Sequence, residues 1–199
     1  MRFIVFFILL GTVLSSCRPE TYTPKPRGYF NVSLPEHKYR LFDAPGYPYQ
    51  FEYPTYAEVT QDTLFLGKKP ENPYWIYIDF PSIGGKFYIS YKAISPQQPL
   101  SKLMEDAHEL SFSVHSKRAD YISDQPFQKG DVYGILYNAG GNAASAYQFI
   151  ATDSSTHFLR GALYFDVTPN ADSLKLSNEF LKEDMNHLLE TLKWRNAAP

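Results

Sequence analysis

The chain has 199 residues, 44% of them hydrophobic, which is enough for one domain whose core needs no disulfide. Its formal net charge is −2, from 19 basic and 21 acidic residues. Because nucleic-acid binding needs a clustered basic surface, this balance excludes nucleic acid as a partner. The single cysteine, Cys17, excludes a disulfide within the chain.

The N-terminus has the pattern of a bacterial lipoprotein signal. Residues 3–13, after Arg2, form an apolar run of 11 residues, whereas a membrane span needs about 20 residues. Leu14-Ser15-Ser16-Cys17 resembles a lipobox, in which the cysteine is acylated and the peptide is cut before it. We therefore expect a signal peptide over residues 1–16 and membrane attachment through acyl chains on Cys17. The alternative is an ordinary signal peptide followed by an incidental cysteine.

The residues that follow Cys17 have the composition of a linker. Residues 18–28 hold three prolines and almost no side chain that needs burial. In polyproline geometry, at about 3.1 Å per residue, this segment would reach roughly 30 Å. We predict a lipidated cysteine and tether over 17–28, and a single globular domain over 29–199.

Alternating apolar and polar residues predict several strands in the first half of this domain. The clearest pair is 75–80 and 86–92, because Gly84-Gly85 supplies a tight turn between them. The other predicted strands of this half are 29–34, 39–42, 49–53 and 56–60.

The second half contains two helical patterns separated by strands. Apolar residues recur every three or four positions within 100–120 and again within 177–194, which predicts two amphipathic helices. Between them, residues 131–137, 146–152 and 157–167 are predicted strands, with a turn at 138–142.

This order of elements predicts the fold class. Consecutive strands joined by tight turns pair antiparallel, and two helices with one apolar face each need a sheet to cover. We predict an α+β fold with an antiparallel sheet of about six or seven strands packed with two amphipathic helices. The pattern is similar to PsbP/Mog1-type folds, in which a twisted antiparallel sheet lies between helices, and this similarity of topology carries no function.

The densest polar segment of the chain lies between residues 152 and 161. Within it, Asp153, His157 and Arg160 are the candidate interaction patch, since together they could form an acid–base or anion-binding set. The alternative is a turn aspartate, a surface histidine and an arginine whose stem packs on aromatic strands.

Two helical pairs have the spacing of metal ligands, and two glycine motifs bear on catalysis. Glu105 with His108, and Asp184 with His187, are spaced by three residues on the predicted helices, so each pair could present two metal ligands. Solvated helix faces explain both pairs, and we expect no metal site. Because the chain has no Gly-x-Ser-x-Gly and no phosphate-loop lysine after Gly140-Gly141, we expect no catalytic residue, no enzymatic activity and no cofactor.

The chain is rich in aromatic residues, with 16 Tyr, 15 Phe and 2 Trp. Such a composition suits a sheet with amphipathic faces. It is also typical of a protein–protein surface, since Tyr and Trp are enriched in interfaces.

Several stretches, in order along nearly the whole mature chain, resemble the gliding motility lipoprotein GldD family of Bacteroidetes. They are YTPKPRGYF at 22–30, FEYP at 51–54, Trp75, IDFP at 78–81, ISYK at 89–92, VYG at 132–134, QF at 148–149, TDS at 152–154, HFLRGALYF at 157–165 and ETLKW at 190–194.

The resemblance implies a lipid-anchored envelope protein that is required for gliding motility. Because gliding in this phylum is coupled to type IX secretion, it also implies a non-catalytic role in assembling or maintaining that machinery. The resemblance brings no enzymatic activity, cofactor or catalytic residue. It makes a protein of the cell envelope, with an integral inner-membrane protein as the candidate, the expected partner.

The residues after Cys17 bear on which side of the membrane the protein faces. Residues 18–21 lack the acidic stretch that follows the cysteine of surface-exported lipoproteins in this phylum, so we expect a periplasm-facing protein. The choice between inner and outer membrane stays open. The alternative function is a periplasmic ligand- or glycan-binding module that uses exposed aromatic residues, and a further alternative is a hydrolase that uses Asp153 and His157.

Overall fold

A large antiparallel sheet dominates the computed structural model, which describes residues 33–64, 67–112 and 116–195. Its seven strands follow the order β3-β4-β5-β9-β8-β7-β6, and β1, β2 and β10 form a smaller sheet. The elements are β1 (Tyr39–Phe42), β2 (Tyr49–Pro54), β3 (Glu58–Gln61), β4 (Ile76–Phe80), β5 (Gly85–Ala93), α1 (Leu100–Phe112), β6 (Ala119–Lys129), β7 (Val132–Gly141), β8 (Tyr147–Thr152), β9 (His157–Phe165), α2 (Ala171–Thr191) and β10 (Lys193–Trp194).

The fold class predicted from the sequence is confirmed. Every pair of neighbouring strands in the seven-stranded sheet is antiparallel. The predicted hairpin of β4 and β5 is also confirmed, since Ile78 pairs with Phe87 and Phe80 with Gly85. Gly84 sits in its turn at a φ of 73°, a conformation that glycine adopts without a steric penalty.

The two helices pack on opposite faces of the sheet. Along β9, Leu159 belongs to the core that contains α2, while the preceding Phe158 belongs to the core that contains α1. Because successive strand residues point to opposite faces, these two cores lie on the two sides of the sheet. The larger core also holds Tyr49 and Phe51 of β2, so the small sheet shares the α2 side.

Helix α1 covers only part of its face of the sheet. All six residues of β8 are buried, which requires cover on both sides. On β4 and β5, by contrast, buried residues alternate with half-buried ones. The half-buried face of β4 and β5 therefore lies beside α1 without being covered by it. The cleft described below lies over this uncovered face.

The prediction from the sequence placed the end of the first helix too late and missed a strand. Instead of spanning 100–120, α1 ends at Phe112, and β6 begins at Ala119. Strand β6 is an edge strand with mostly exposed residues and an internal proline, Pro126, so it has little of the alternation by which strands are found. The turn predicted at 138–142 is also wrong, because β7 continues through Gly141.

The last helix also differs from its predicted bounds. Helix α2 begins at Ala171 instead of residue 177, because the Asn170 side chain caps it by accepting a hydrogen bond from the Ser173 N–H at 3.0 Å. It ends at Thr191, and Lys193 and Trp194 pair with Gln50 and Tyr49 as a short strand.

Three predictions fall outside the described residues. They are the signal peptide over 1–16, the lipidated Cys17 with its tether to residue 28, and most of the strand predicted over 29–34. Ser33 and Leu34, the described part of that strand, have no regular secondary structure.

Candidate functional site

A cleft of about 500 Å³ lies between α1 and the face of the sheet that this helix leaves open. Leu103, Ala107 and Leu110 of α1 line one wall. Leu110 is 48% exposed, so this wall of the cleft is open to solvent. The cleft has the volume of a small-molecule binding site.

Aromatic rings form the opposite side of the cleft and continue beyond it. Trp75 and Tyr88 line the cleft itself. The Tyr88 ring centroid lies 6.2 Å from that of Tyr77 and 5.8 Å from that of Tyr164, so three neighbouring strands contribute to one row of tyrosines. The Lys86 ammonium lies 4.6 Å from the centroid of the Tyr77 ring, a cation–π contact at the end of the row.

The charged residues that line the cleft carry a net negative charge. Asp62, Asp106 and Glu109 oppose two cations, Lys92 and Arg160. Asp62 is buried and accepts a hydrogen bond from the Leu64 N–H at 3.0 Å. Within the part of the chain that the structure describes, Asp106 forms no hydrogen bond or ion pair, so its carboxylate is available to a ligand.

Both cations of the cleft are already engaged by the protein. Lys92 forms an ion pair of 2.9 Å with Glu71. The Arg160 guanidinium donates to the Gln148 side-chain oxygen at 2.6 Å. Burial lowers the pKa of Arg160, and its Nε–H is buried without an acceptor among the described residues.

The structure does not bring Asp153, His157 and Arg160 together as one patch. Asp153 organises the turn between β8 and β9, accepting backbone N–H groups from Thr156 and His157 at 2.8 Å each. These bonds lower the pKa of Asp153 against the opposing effect of burial. His157 and Arg160 are three positions apart on β9, so their side chains point to opposite faces of the sheet.

His157 is a core residue. It is buried, its Nδ1 lies 2.8 Å from the Tyr91 hydroxyl, and its ring stacks on Trp194 at a centroid distance of 5.1 Å. Burial lowers the pKa of His157, which favours the neutral ring. His157 is therefore not the surface histidine that the alternative interpretation expects, and it does not belong to an open surface.

The two helical pairs have different surroundings. Glu105 and His108 are exposed on α1, and the His108 ring stacks on Phe112 at 4.2 Å. On α2, His187 bonds the Glu52 carboxylate at 2.7 Å, while Asp184 is buried. Among residues 33–64, 67–112 and 116–195, no three His, Cys, Asp or Glu side chains are arranged to hold a metal ion.

Asp184 is the centre of a buried polar cluster. Its Oδ1 lies 2.7 Å from His37 Nδ1 and accepts the Tyr39 hydroxyl at 3.1 Å. Its Oδ2 accepts the Tyr56 hydroxyl at 2.5 Å. Burial and the neighbouring Asp184 raise the pKa of both tyrosines, so they stay protonated donors. The cluster attaches the start of the described chain to α2.

Sequence comparison matches residues 19–194 to the family described as "Gliding motility lipoprotein GldD". The chain belongs to this family. The resemblance expected from the sequence is thereby confirmed. No protein of curated function matches the chain.

A solved structure is similar to this chain. It is the solution structure of cyanobacterial PsbP (CyanoP) from Synechocystis sp. PCC 6803, with a TM-score of 0.46 and 9% sequence identity. The alignment covers 81% of this chain and 95% of that chain.

Family membership gives the protein a role in gliding motility and a membrane-anchored place in the cell envelope. None of the helices among the described residues has the length and apolar character to cross a bilayer. Cys17 lies outside both the matched range and the described residues, so its lipidation stays a prediction.

Two features of the structure have no counterpart among the predictions from the sequence. The cleft depends on where α1 lies on the sheet, for which the sequence has no local signal. The Asp184 cluster joins residues 147 positions apart, and only the Asp184–His187 spacing drew attention to this region.

Proposed function

We propose that the protein is a lipid-anchored, periplasm-facing envelope component that supports gliding motility as a non-catalytic part of the assembly or maintenance of the gliding and type IX secretion machinery. The observation that carries this proposal is the family match over residues 19–194. The lipobox ending at Cys17 and the proline-rich segment after it supply the anchor and tether.

The surroundings of the candidate acid–base residues support a non-catalytic role. Asp153 is occupied by backbone N–H groups of its own turn, and His157 is stacked in the core on Trp194. A general acid or base must reach a proton of the substrate, and a buried His157 does not meet this requirement. The hydrolase alternative therefore has no support from the geometry of these two residues.

A deletion strain of the source organism tests the proposal. We expect loss of colony spreading, restored by the wild-type gene and not by Cys17→Ala. Ser16→Ala is the matched control, because it keeps a small residue before the cysteine and should restore spreading. Normal spreading of the deletion strain, or full rescue by Cys17→Ala without acylation, would contradict the proposal.

Secreted-protein levels in the same strains separate two forms of the role. Loss of both secretion and spreading is expected for a part of the shared machinery. Loss of spreading with normal secretion would contradict the secretion part and leave a direct role in motility. Cross-linking in intact cells then identifies the envelope partner, for which an integral inner-membrane protein is the candidate.

A second candidate function is binding of a ligand or glycan. The cleft beside α1 favours it, because aromatic rings meet the Asp106 carboxylate, which is unpaired among the described residues, in one concave site.

A further inference from the structure

We propose that the cleft between α1 and the open half of the sheet binds a neutral or amino-bearing saccharide. This inference rests on the second candidate function, and it names the class of ligand. It does not depend on the motility role.

The aromatic side of the cleft suits the apolar face of a sugar ring. A pyranose presents C–H groups on its faces and hydroxyls around its edge. Trp75 and Tyr88 line the cleft, and Tyr77 and Tyr164 extend the same surface along neighbouring strands. Tyr and Trp rings pack against apolar groups while their polar atoms still reach water or a partner.

The polar groups of the cleft suit hydroxyl groups, which both donate and accept hydrogen bonds. The Asp106 carboxylate, which has no partner among the described residues, accepts only, and the Arg160 guanidinium donates only. The side chains of Ser90 and Lys92 lie in the same lining. A ring bearing several hydroxyls can satisfy both kinds of partner at once, which a ligand with donors alone or acceptors alone cannot do.

The charge of the cleft disfavours an anionic ligand. Lys92 is paired with Glu71, and Arg160 is held by Gln148. Three carboxylates also line the cleft, so an added negative charge would meet like charges. A protonated amine on the sugar would instead face the Asp106 carboxylate.

An apolar ligand such as an acyl chain is also disfavoured. It would cover the Asp106 carboxylate without offering it a hydrogen bond. Burying a charged group without a partner is strongly unfavourable. The saccharide class is therefore the one that matches both the aromatic and the polar lining.

The test measures binding to the full chain purified from membranes in detergent. The probes are chitotriose and maltotriose as neutral saccharides, glucosamine oligomers as amino-bearing ones, a galacturonate oligomer as the anionic one, and methyl palmitate as the apolar one. Isothermal titration calorimetry gives the affinity, and Trp194→Phe leaves Trp75 as the fluorescent reporter within the cleft.

Two substitutions in the cleft are compared with two outside it. Tyr88→Ala removes a ring of the cleft and Asp106→Ala removes the free carboxylate, and each should weaken saccharide binding by about tenfold or more. Tyr121→Ala removes a tyrosine of β6 that is 55% exposed, and Glu105→Ala removes an exposed carboxylate from the same helix. Neither control residue lines the cleft, so neither should change the affinity.

The outcomes distinguish the saccharide class from the more general proposal that the cleft binds a ligand. Binding of a neutral or amino saccharide that Tyr88→Ala and Asp106→Ala weaken, with both controls unchanged, is the expected result. Tighter binding of methyl palmitate would overturn the saccharide class, and tighter binding of galacturonate would overturn the claim that the saccharide is neutral or amino-bearing. Either result would leave the cleft a ligand site. No binding of any probe at millimolar concentration, or binding that the cleft variants do not alter, would overturn both the saccharide class and the ligand-binding function of the cleft.

Discussion

Replacing Asp184 by alanine should destabilise the domain more than any exposed change on the same helix. Its side chain is 0% exposed, and it receives hydrogen bonds from Tyr39 and Tyr56 and contacts His37. Alanine would remove the carboxylate that accepts from the two tyrosine hydroxyls and contacts His37 Nδ1, while His37 Nε2 would keep its contact with Glu183. The substitution thus tests whether this buried carboxylate holds the first described segment and α2 together.

The magnitude follows from what the three partners lose. An unsatisfied buried polar group costs about 1–3 kcal/mol, and breaking a buried charged contact typically costs about 3–5 kcal/mol. Tyr39, Tyr56 and His37 are each half-buried, so water replaces part of the loss. We therefore expect the free energy of unfolding to fall by about 3 kcal/mol, which for a domain of this size lowers Tm by about 6–12 °C.

Glu183 provides a matched control one residue away on α2. Its carboxylate also contacts His37, with an Oε2 to Nε2 distance of 3.1 Å, but its side chain is 70% exposed. Exposed ion pairs contribute about 0–1 kcal/mol, so Glu183→Ala should change stability little. Asp184→Asn keeps one acceptor oxygen in place and should fall between the two.

Urea unfolding of the detergent-purified protein, followed by the fluorescence of its two tryptophans, measures these differences. An Asp184→Ala loss below about 1 kcal/mol, within the range of an exposed pair, would refute the reasoning. So would equal losses for Asp184→Ala and Glu183→Ala, because burial would then not be the deciding factor.

Two further predictions concern the core. Because burial lowers the pKa of His157 below its ordinary 6.5, its contribution to stability is fully present above that value and is lost as the pH falls through the lower folded pKa. Urea titrations at about pH 7.5 and pH 5 should show a larger drop for the wild type than for His157→Gln, and equal drops would contradict a neutral buried ring. Gly134→Ala should lower the free energy of unfolding by about 1–3 kcal/mol, since an added Cβ would clash with the Ile150 carbonyl oxygen, which is backbone and cannot move aside. Gly140→Ala should cost less, because its contact is the movable and largely exposed Tyr121 ring, and thermal unfolding that ranks the two glycines the other way would contradict this explanation.

Much of the fold could be predicted because its signals are local. The β4–β5 hairpin follows from alternation and a glycine turn, and its register pairs the residues that alternation assigns to one face. Both helices were found from the spacing of their apolar residues. Strand β6 was missed because an edge strand with exposed side chains needs no apolar alternation.

The predicted patch is wrong because residues that are close in sequence need not form one site. Asp153, His157 and Arg160 are close in sequence. On β9, however, the His157 side chain points to the core with α2, and the Arg160 side chain points to the cleft beside α1. Their separation depends on which sheet face each helix covers. Alternation along β9 gives opposite faces for His157 and Arg160, and it does not say what packs on either face.

The sequence by itself determined the family, the fold class and the prediction that Cys17 carries the membrane anchor, because each depends on residues adjacent along the chain. Only the tertiary structure decided where α1 lies on the sheet, and hence that a cleft with Tyr88 and Asp106 exists. It also decided that Asp184 meets His37, Tyr39 and Tyr56. These groups are brought together by the packing of distant elements, and packing depends on the whole set of contacts instead of a local pattern.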